Sequence, residues 1–291
     1  MDIVQNSALE NLMDKQVCLV TGANRGIGKE VALGLAKQGA HVVMVCRNGQ
    51  QGVAAQQDIQ RLANNLHVDL LLADLSSQAS VRQLVDTVQS RYTCLHVLIN
   101  NAGLMLSERA VSVDGLEMTL AVNHLAGFLL TTLLLDLLKR SAPARIINVT
   151  SVVHQWGSIH FDDLQLEQGY DIDKAYYQSK LANVLFTYEL SRRLGTVGIT
   201  VNSFDPRMTA TDFAKDRKGF AGFMAKVWKP FMNSAETSGE NIVHLATSPE
   251  FAGVSGQYVV NRKAVKSSSA SYDEQAARQL WDMSAALVRL A

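Results

Sequence analysis

Proline is scarce in this chain, four residues in 291, where about 5% is ordinary. A chain so poor in proline is mostly regular elements joined by short loops. Cysteine is scarce too. Cys18, Cys46 and Cys94 are an odd number without a CxxC pair, each in or beside an apolar run. A disulfide framework and a zinc site are disfavoured, and a reducing cytosol is the expected home. Net charge is absent: 27 basic residues face 27 acidic ones, so no nucleic acid or other polyelectrolyte is advertised as a partner. The seven histidines show no HExxH spacing, and metal catalysis has no sequence support. The longest apolar stretch, Ala126 to Leu138, is broken by Thr131, Thr132 and Asp136 and falls short of the roughly 18 to 20 residues a bilayer requires. The opening MDIVQNSALENLMDKQ is polar and carries acids, so it reads as neither signal peptide nor anchor. A soluble cytoplasmic protein without an integral membrane segment is expected. What the chain does have is apolar residue, 47%, enough at this length for one sizeable core and incompatible with disorder.

Strand-length apolar runs recur at Val17–Thr21, His41–Cys46, Val68–Ala73, Leu95–Ile99, Arg145–Thr150, Ile199–Phe204 and Tyr258–Val260, with helical patterns between them, among them Gly26 to Lys37 and Ser80 to Ser90. The first five runs are continuous in Val, Ile and Leu and do not alternate, as parallel strands covered on both faces require. Alternation of β and α elements predicts an α/β fold, a doubly wound parallel sheet with helices on both faces. No repeat or hinge divides it, so residues 1–291 are expected to form one domain. Ligands of such a sheet sit outside the carboxyl ends of its strands, which directs attention to the residues just after each run.

After the first run comes Thr21-Gly22-Ala23-Asn24-Arg25-Gly26-Ile27-Gly28, leading straight into a helix. Glycines there allow a tight turn, close approach to a pyrophosphate and a helix N-terminus facing the anion. Their Gly-xxx-Gly-x-Gly spacing departs from Gly-x-Gly-x-x-Gly. The second run ends Cys46-Arg47-Asn48 without an acid. An acid would bind the ribose 2′-hydroxyl of NAD, whereas Arg47 and Arg25 suit the 2′-phosphate of NADP. Ser151 follows the fifth run, and Tyr176-Tyr177-Gln178-Ser179-Lys180 lies on the next long helix. Tyr176 and Lys180, at i and i+4, share one helical face. A tyrosine with pKa about 10 is a poor base, and a nearby ammonium favours its phenolate. Tyr176 can then exchange a proton with a carbonyl or alcohol oxygen, which Ser151 hydrogen-bonds.

TGANRGIG, together with Asn100-Asn101-Ala102-Gly103 and YxxxK, resembles the short-chain dehydrogenase/reductase family with its Rossmann-type fold. CRN, DGLE at Asp114–Glu117, VNHLAGFLLT at Val122–Thr131, SAPARIINVTS at Ser141–Ser151 and YYQSKLANVLFTYELSRRL at Tyr176–Leu194 are similar to the retinol dehydrogenase and WW-domain oxidoreductase branch. The resemblance implies that Tyr176, not Tyr177, is the acid/base and that Asn123 holds a water linking Lys180 to solvent. It places the adenine pocket at Asp74 and Leu75 and the ribose against Asn101, Ala102 and Gly103. Pro206, Met208, Thr209 and Thr211 join the cofactor contacts. One position departs: where the family has Pro-Gly after the sixth strand, this chain has Pro206-Arg207. Either the loop has shifted, or Arg207 adds charge near the nicotinamide or the substrate mouth. His124 reads as a packing histidine and His154 as a pocket-wall residue. The segment around 207–233, with Phe220, Phe223, Trp228 and Phe231 among basic residues, reads as a substrate lid, with peripheral contact at a membrane surface as the competing reading.

The expected activity is thus NADP(H)-dependent hydride transfer to or from a lipophilic ketone, aldehyde or alcohol, reduction favoured, in a monomer or homo-oligomer. An NAD-linked alcohol dehydrogenase and a catalytically impaired nucleotide-sensing or scaffold protein, with Arg207 as its mark, are the alternatives.

Overall fold

In the computed structural model, residues 13–207 and 234–290 are described. The apolar runs Val17–Thr21 (β1), His41–Cys46 (β2), Val68–Leu72 (β3), Val97–Asn100 (β4), Ala144–Val149 (β5), Ile199–Phe204 (β6) and Gln257–Val260 (β7) pair in parallel. Successive strand residues face opposite sides: Val17 and Leu19 of β1 enter one apolar cluster and Cys18 and Val20 the other. Both faces of β1 and β2 are buried, which is why those strands are near-continuous apolar runs and do not alternate, whereas the edge strand β3 carries Asp69 and an exposed Leu72. An eighth strand, Lys263–Val265 (β8), runs antiparallel on β7 and is exposed along its length. Three residues carrying one lysine give no apolar run, so it was not foreseen.

Seven longer helices cover the sheet among the described residues: Gly26–Lys37 (α1), Gly49–Ala63 (α2), Gln78–Arg91 (α3), Met118–Arg140 (α4), Ile172–Leu194 (α5), Ala235–Thr247 (α6) and Glu274–Leu287 (α7). Side-chain caps fix several starts: Asn48 accepts from the Gln51 N–H, Ser77 from Ser80 and Asp171 from Lys174, each satisfying an N–H left over at a helix end. α7 lays Trp281 edge-on against Phe128 of α4, its ring 4.9 Å away, with Arg193 of α5 4.2 Å over the indole.

α4 differs most from expectation. It starts eight residues before the apolar stretch singled out in the sequence, reaches 23 residues and is long and apolar enough to cross a membrane. Here most of it is buried inside the fold, with Phe128, Leu130, Leu134 and Leu138 in the core. Ala121–Leu125 within it forms a π turn, a local widening that often accompanies functional sites. Strand order is β3-β2-β1-β4-β5-β6-β7-β8, so chain direction across the sheet reverses between β1 and β4. That switch opens a crevice at the strands' carboxyl ends.

Candidate active site

At the crevice Thr21 joins the two strands. Its Oγ1 accepts the N–H groups of Asn101 (2.9 Å) and Ala102 (3.0 Å) and donates to the Ile99 carbonyl (3.3 Å). Asn101 Nδ2 donates back to the Thr21 carbonyl at 2.8 Å. The glycine loop is drawn in so closely that a Cβ at Gly28 would overlap the Gly22 carbonyl oxygen and come within 2.5 Å of Asn101 Nδ2. Gly22 also has φ +67°, where a side chain is strained. α1 then begins with Arg25 at its cap position and no side-chain cap on its leading N–H groups. A cradle that tolerates only glycine, leading into such a helix start, fits the pyrophosphate of a dinucleotide. Around it Arg25, Arg47 and Asn48 are exposed, with Asn24, Gly26 and Ile27 partly so. Asn24 bonds Gln51 (3.0 Å), and Asn48 is committed as the cap of α2. Asp74 Oδ1 accepts from the N–H and the hydroxyl of Ser76 (2.9 and 2.7 Å), a turn just before the Ser77 cap, while Leu75 rests on the core.

At the other end of the crevice, Lys180 is buried, 4% exposed, its Nζ 5.4 Å from the Tyr176 ring centre and 3.3 Å from the Val149 carbonyl. Thr150 Oγ1 donates to the Lys180 carbonyl at 2.8 Å, tying the turn that carries Ser151 to the turn of α5 that carries Tyr176 and Lys180. Burial lowers the Lys180 ammonium to about 8, and the negative charge of Asp205 works against that fall. Asn123, on the π turn, faces the same spot: a Cβ at Gly103 would lie 3.3 Å from Asn123 Oδ1 and 3.6 Å from Lys180 Nζ. Its amide is locked, accepting from the Leu104 N–H (2.7 Å) and donating to the Leu104 carbonyl (2.9 Å) and Ser179 Oγ (3.0 Å). Its carbonyl accepts from Asn183 Nδ2 at 2.9 Å.

Arg207 stands where the resemblance leads one to expect glycine. It takes the left-handed backbone itself, φ +60°, following a Pro206 that stays buried at the end of β6. Met208, Thr209, Thr211 and the segment expected to be a lid lie outside the described residues. His124 is a packing residue, its ring bonded to Asn183 Oδ1 (3.2 Å) and Ser284 Oγ (3.0 Å). His154 is fully buried behind Ser151 and forms no pocket wall. Thr21, Ser179 and Asp205 were missed as site residues. Thr21 opens the glycine motif, and that adjacency was the available signal.

A family model described as short chain dehydrogenase matches residues 16–220. The chain belongs to the short chain dehydrogenase family. Human retinol dehydrogenase 13 is 42% identical over 279 residues, covering 94% of this chain and 84% of the relative. An uncharacterised Mycobacterium paratuberculosis protein of known structure is 30% identical, TM-score 0.78, over 95% of this chain and 94% of its own. A Burkholderia cenocepacia short chain dehydrogenase in complex with NADP is 26% identical, TM-score 0.69, over 86% and 97%. This short chain dehydrogenase is therefore an oxidoreductase of a nicotinamide-using family, with a resemblance to retinol dehydrogenases.

Proposed function

We propose that this chain is an NADP(H)-dependent oxidoreductase that interconverts a lipophilic ketone or aldehyde and its alcohol, with reduction favoured. The observation that carries the reading is the buried Lys180 ammonium 5.4 Å from the Tyr176 ring on one face of α5. A positive charge there stabilises the phenolate that remains after Tyr176 gives its proton. Gly22, Gly26, Gly28, Asn101, Ala102 and Gly103 would hold the dinucleotide, and its nicotinamide, when bound, supplies the hydride. Tyr176 then protonates the substrate oxygen, Ser151 donates a hydrogen bond to it, and Lys180 offsets the charge left on Tyr176. Asn123 holds the floor beside Lys180, where a water would connect that ammonium to solvent.

The 2′-phosphate form is favoured by Arg47 and Arg25, both exposed at the crevice edge, and by the lack of an acid after β2. The NADP carried by the Burkholderia relative points the same way. An apolar substrate is favoured by Trp156, 65% exposed and 6.0 Å from the Tyr177 ring next to Tyr176, and by the retinol dehydrogenase resemblance. Cellular NADP(H) is kept mostly reduced, which sets the direction.

NADPH consumption with aromatic ketones, aldehydes and retinal tests this. Tyr176→Phe is expected to lower turnover by about three orders of magnitude or more while NADPH binding persists; near-normal turnover sinks the assignment. Equal affinity for NADPH and NADH in the parent, unchanged by Arg47→Asp, would refute the phosphate preference.

A further inference from the structure

Behind Ser151 lies a group of buried polar side chains that the mechanism above does not use. Asp205, at the end of β6, is fully buried, as is His154, and Tyr258 of β7 is 2% exposed. Asp205 Oδ1 accepts the Val152 N–H at 3.1 Å and the Arg207 N–H at 2.7 Å, and its Oδ2 accepts the Tyr258 hydroxyl at 2.6 Å. The Tyr258 ring packs against the His154 ring at 4.7 Å. His154 Nδ1 lies 2.8 Å from the Ser151 carbonyl oxygen, which also accepts the His154 backbone N–H at 3.1 Å. The Ser268 N–H donates to His154 Nε2 at 3.1 Å. Nε2 is therefore an acceptor and Nδ1 carries the hydrogen, so the ring is neutral.

The Ser151 carbonyl and the Val152 N–H belong to one peptide group, and a peptide group is planar. Asp205 holds one edge of that plane and His154 the other, with Tyr258 closing the ring between them. Fixing both edges fixes ψ of Ser151 and φ of Val152, and with them the direction of the Ser151 Cα–Cβ bond. Ser151 sits in extended backbone, φ −163° and ψ 155°, and among the described residues its own Oγ has only a long contact, 3.5 Å from the Val153 N–H. Among these residues the side chain is thus aimed by its backbone and is not held by a strong bond of its own.

We propose that Asp205 and His154, joined through Tyr258, are positioning residues that clamp the Ser151–Val152 peptide and so aim the Ser151 hydroxyl at the substrate oxygen. The proposal rests on the catalytic reading of Ser151 given above. Its charged and titratable surroundings are Lys180 of α5, Arg207 of the loop after β6, Tyr258 of β7 and His154 itself. Burial depresses His154, which keeps it neutral, and holds the Tyr258 phenol far above its ordinary value, so that it donates to Asp205.

The test uses the full chain. His154→Phe keeps a ring against Tyr258 and removes both ring hydrogen bonds; Asp205→Ala removes the other edge. Each is expected to lower kcat about 10-fold or more with NADPH affinity within about 3-fold of the parent. In a Ser151→Ala background, assayed at about pH 6 where Lys180 keeps its proton with or without Asp205, the same substitutions should change kcat by less than about 3-fold, because the group they aim is gone. Losses that multiply in the double variants, or single variants at parental kcat, overturn the clamp. If Asp205→Ala does not fold, Asp205→Asn and Tyr258→Phe take its place in the same cycle.

Amide hydrogen exchange reads the clamp without turnover. His154→Phe should speed exchange in residues 151–154 about 10-fold and leave β1 and β4 unchanged; unchanged exchange at 151–154 overturns the clamp. A parent that consumes no NADPH with any carbonyl retires the catalytic reading alone, and exchange still decides the clamp.

Discussion

Arg207 holds a left-handed backbone, φ +60°, at a cost of roughly 1–2 kcal/mol for a residue with a Cβ. Its N–H bonds Asp205 Oδ1 at 2.7 Å, whereas its guanidinium is 3.9 Å from Oδ2 on a side chain 48% exposed, a pair worth about 0.5 kcal/mol at most. Both Arg207→Gly and Arg207→Ala delete the guanidinium and keep the N–H, so their difference isolates the backbone. Urea unfolding should find the glycine variant more stable than the alanine variant by about 1 kcal/mol; equal stabilities would mean the backbone is unstrained. Lys180 carries the second residue-level prediction. Burial outweighs the opposing charge of Asp205 and leaves it at about 8. Asp205→Asn keeps the shape and removes the charge, so the ammonium is lost at lower pH and the alkaline limb of kcat/KM moves down; an unmoved limb refutes Asp205 as its counter-charge. The Tyr176–Lys180 pair was legible because i and i+4 on a helix meet by geometry alone. Asp205 was not, because Val152 and Tyr258 each lie 53 residues away along the chain and only the fold brings them together.

Elements were legible where burial dictates composition. β1, β2 and β6 and helix α1 begin and end where the apolar runs and the glycine loop say, since both faces of those strands are dry. β8 escaped because an exposed edge needs no apolar residue, and the π turn of α4 because Ala121–Leu125 has no composition that sets a π turn apart from an α-helix. That turn has a partner on α5: Asn183 Nδ2 donates to the Asn123 carbonyl (2.9 Å), and its Oδ1 faces His124 Nδ1 (3.2 Å). One amide therefore pairs a backbone carbonyl and a side-chain ring nitrogen of the turn inside the core. Asn183→Ala should cost about 2–4 kcal/mol in urea unfolding, the penalty for leaving two buried polar groups unpaired. A loss below about 0.5 kcal/mol would mean that the turn does not depend on α5.

Across the whole molecule, burial acts on the histidines in one direction. His96, His124, His154 and His160 are all depressed, with desolvation the largest cause in each. His124 falls from 6.5 to about 4, only partly restored by Asn183. Its ring, neutral between an amide oxygen and the Ser284 hydroxyl, joins α4, α5 and α7, so its protonation state reports on the packing of all three. A folded value below the unfolded one means that the unfolded chain binds more protons between them, so stability is full above about 6.5, falls with pH and bottoms out below about 4. From pH 7.5 to 5.0 His124 alone should cost about 2 kcal/mol, and His154 and His96 add in the same direction. With 27 charges of each sign, repulsion across the molecule contributes little near neutrality, so the slope belongs to these buried rings and not to net charge. Urea unfolding at the two pH values should show this loss in the parent and a shallower one in His124→Gln. Identical slopes in parent and variant would show that His124 is not the neutral buried ring on which the three helices close.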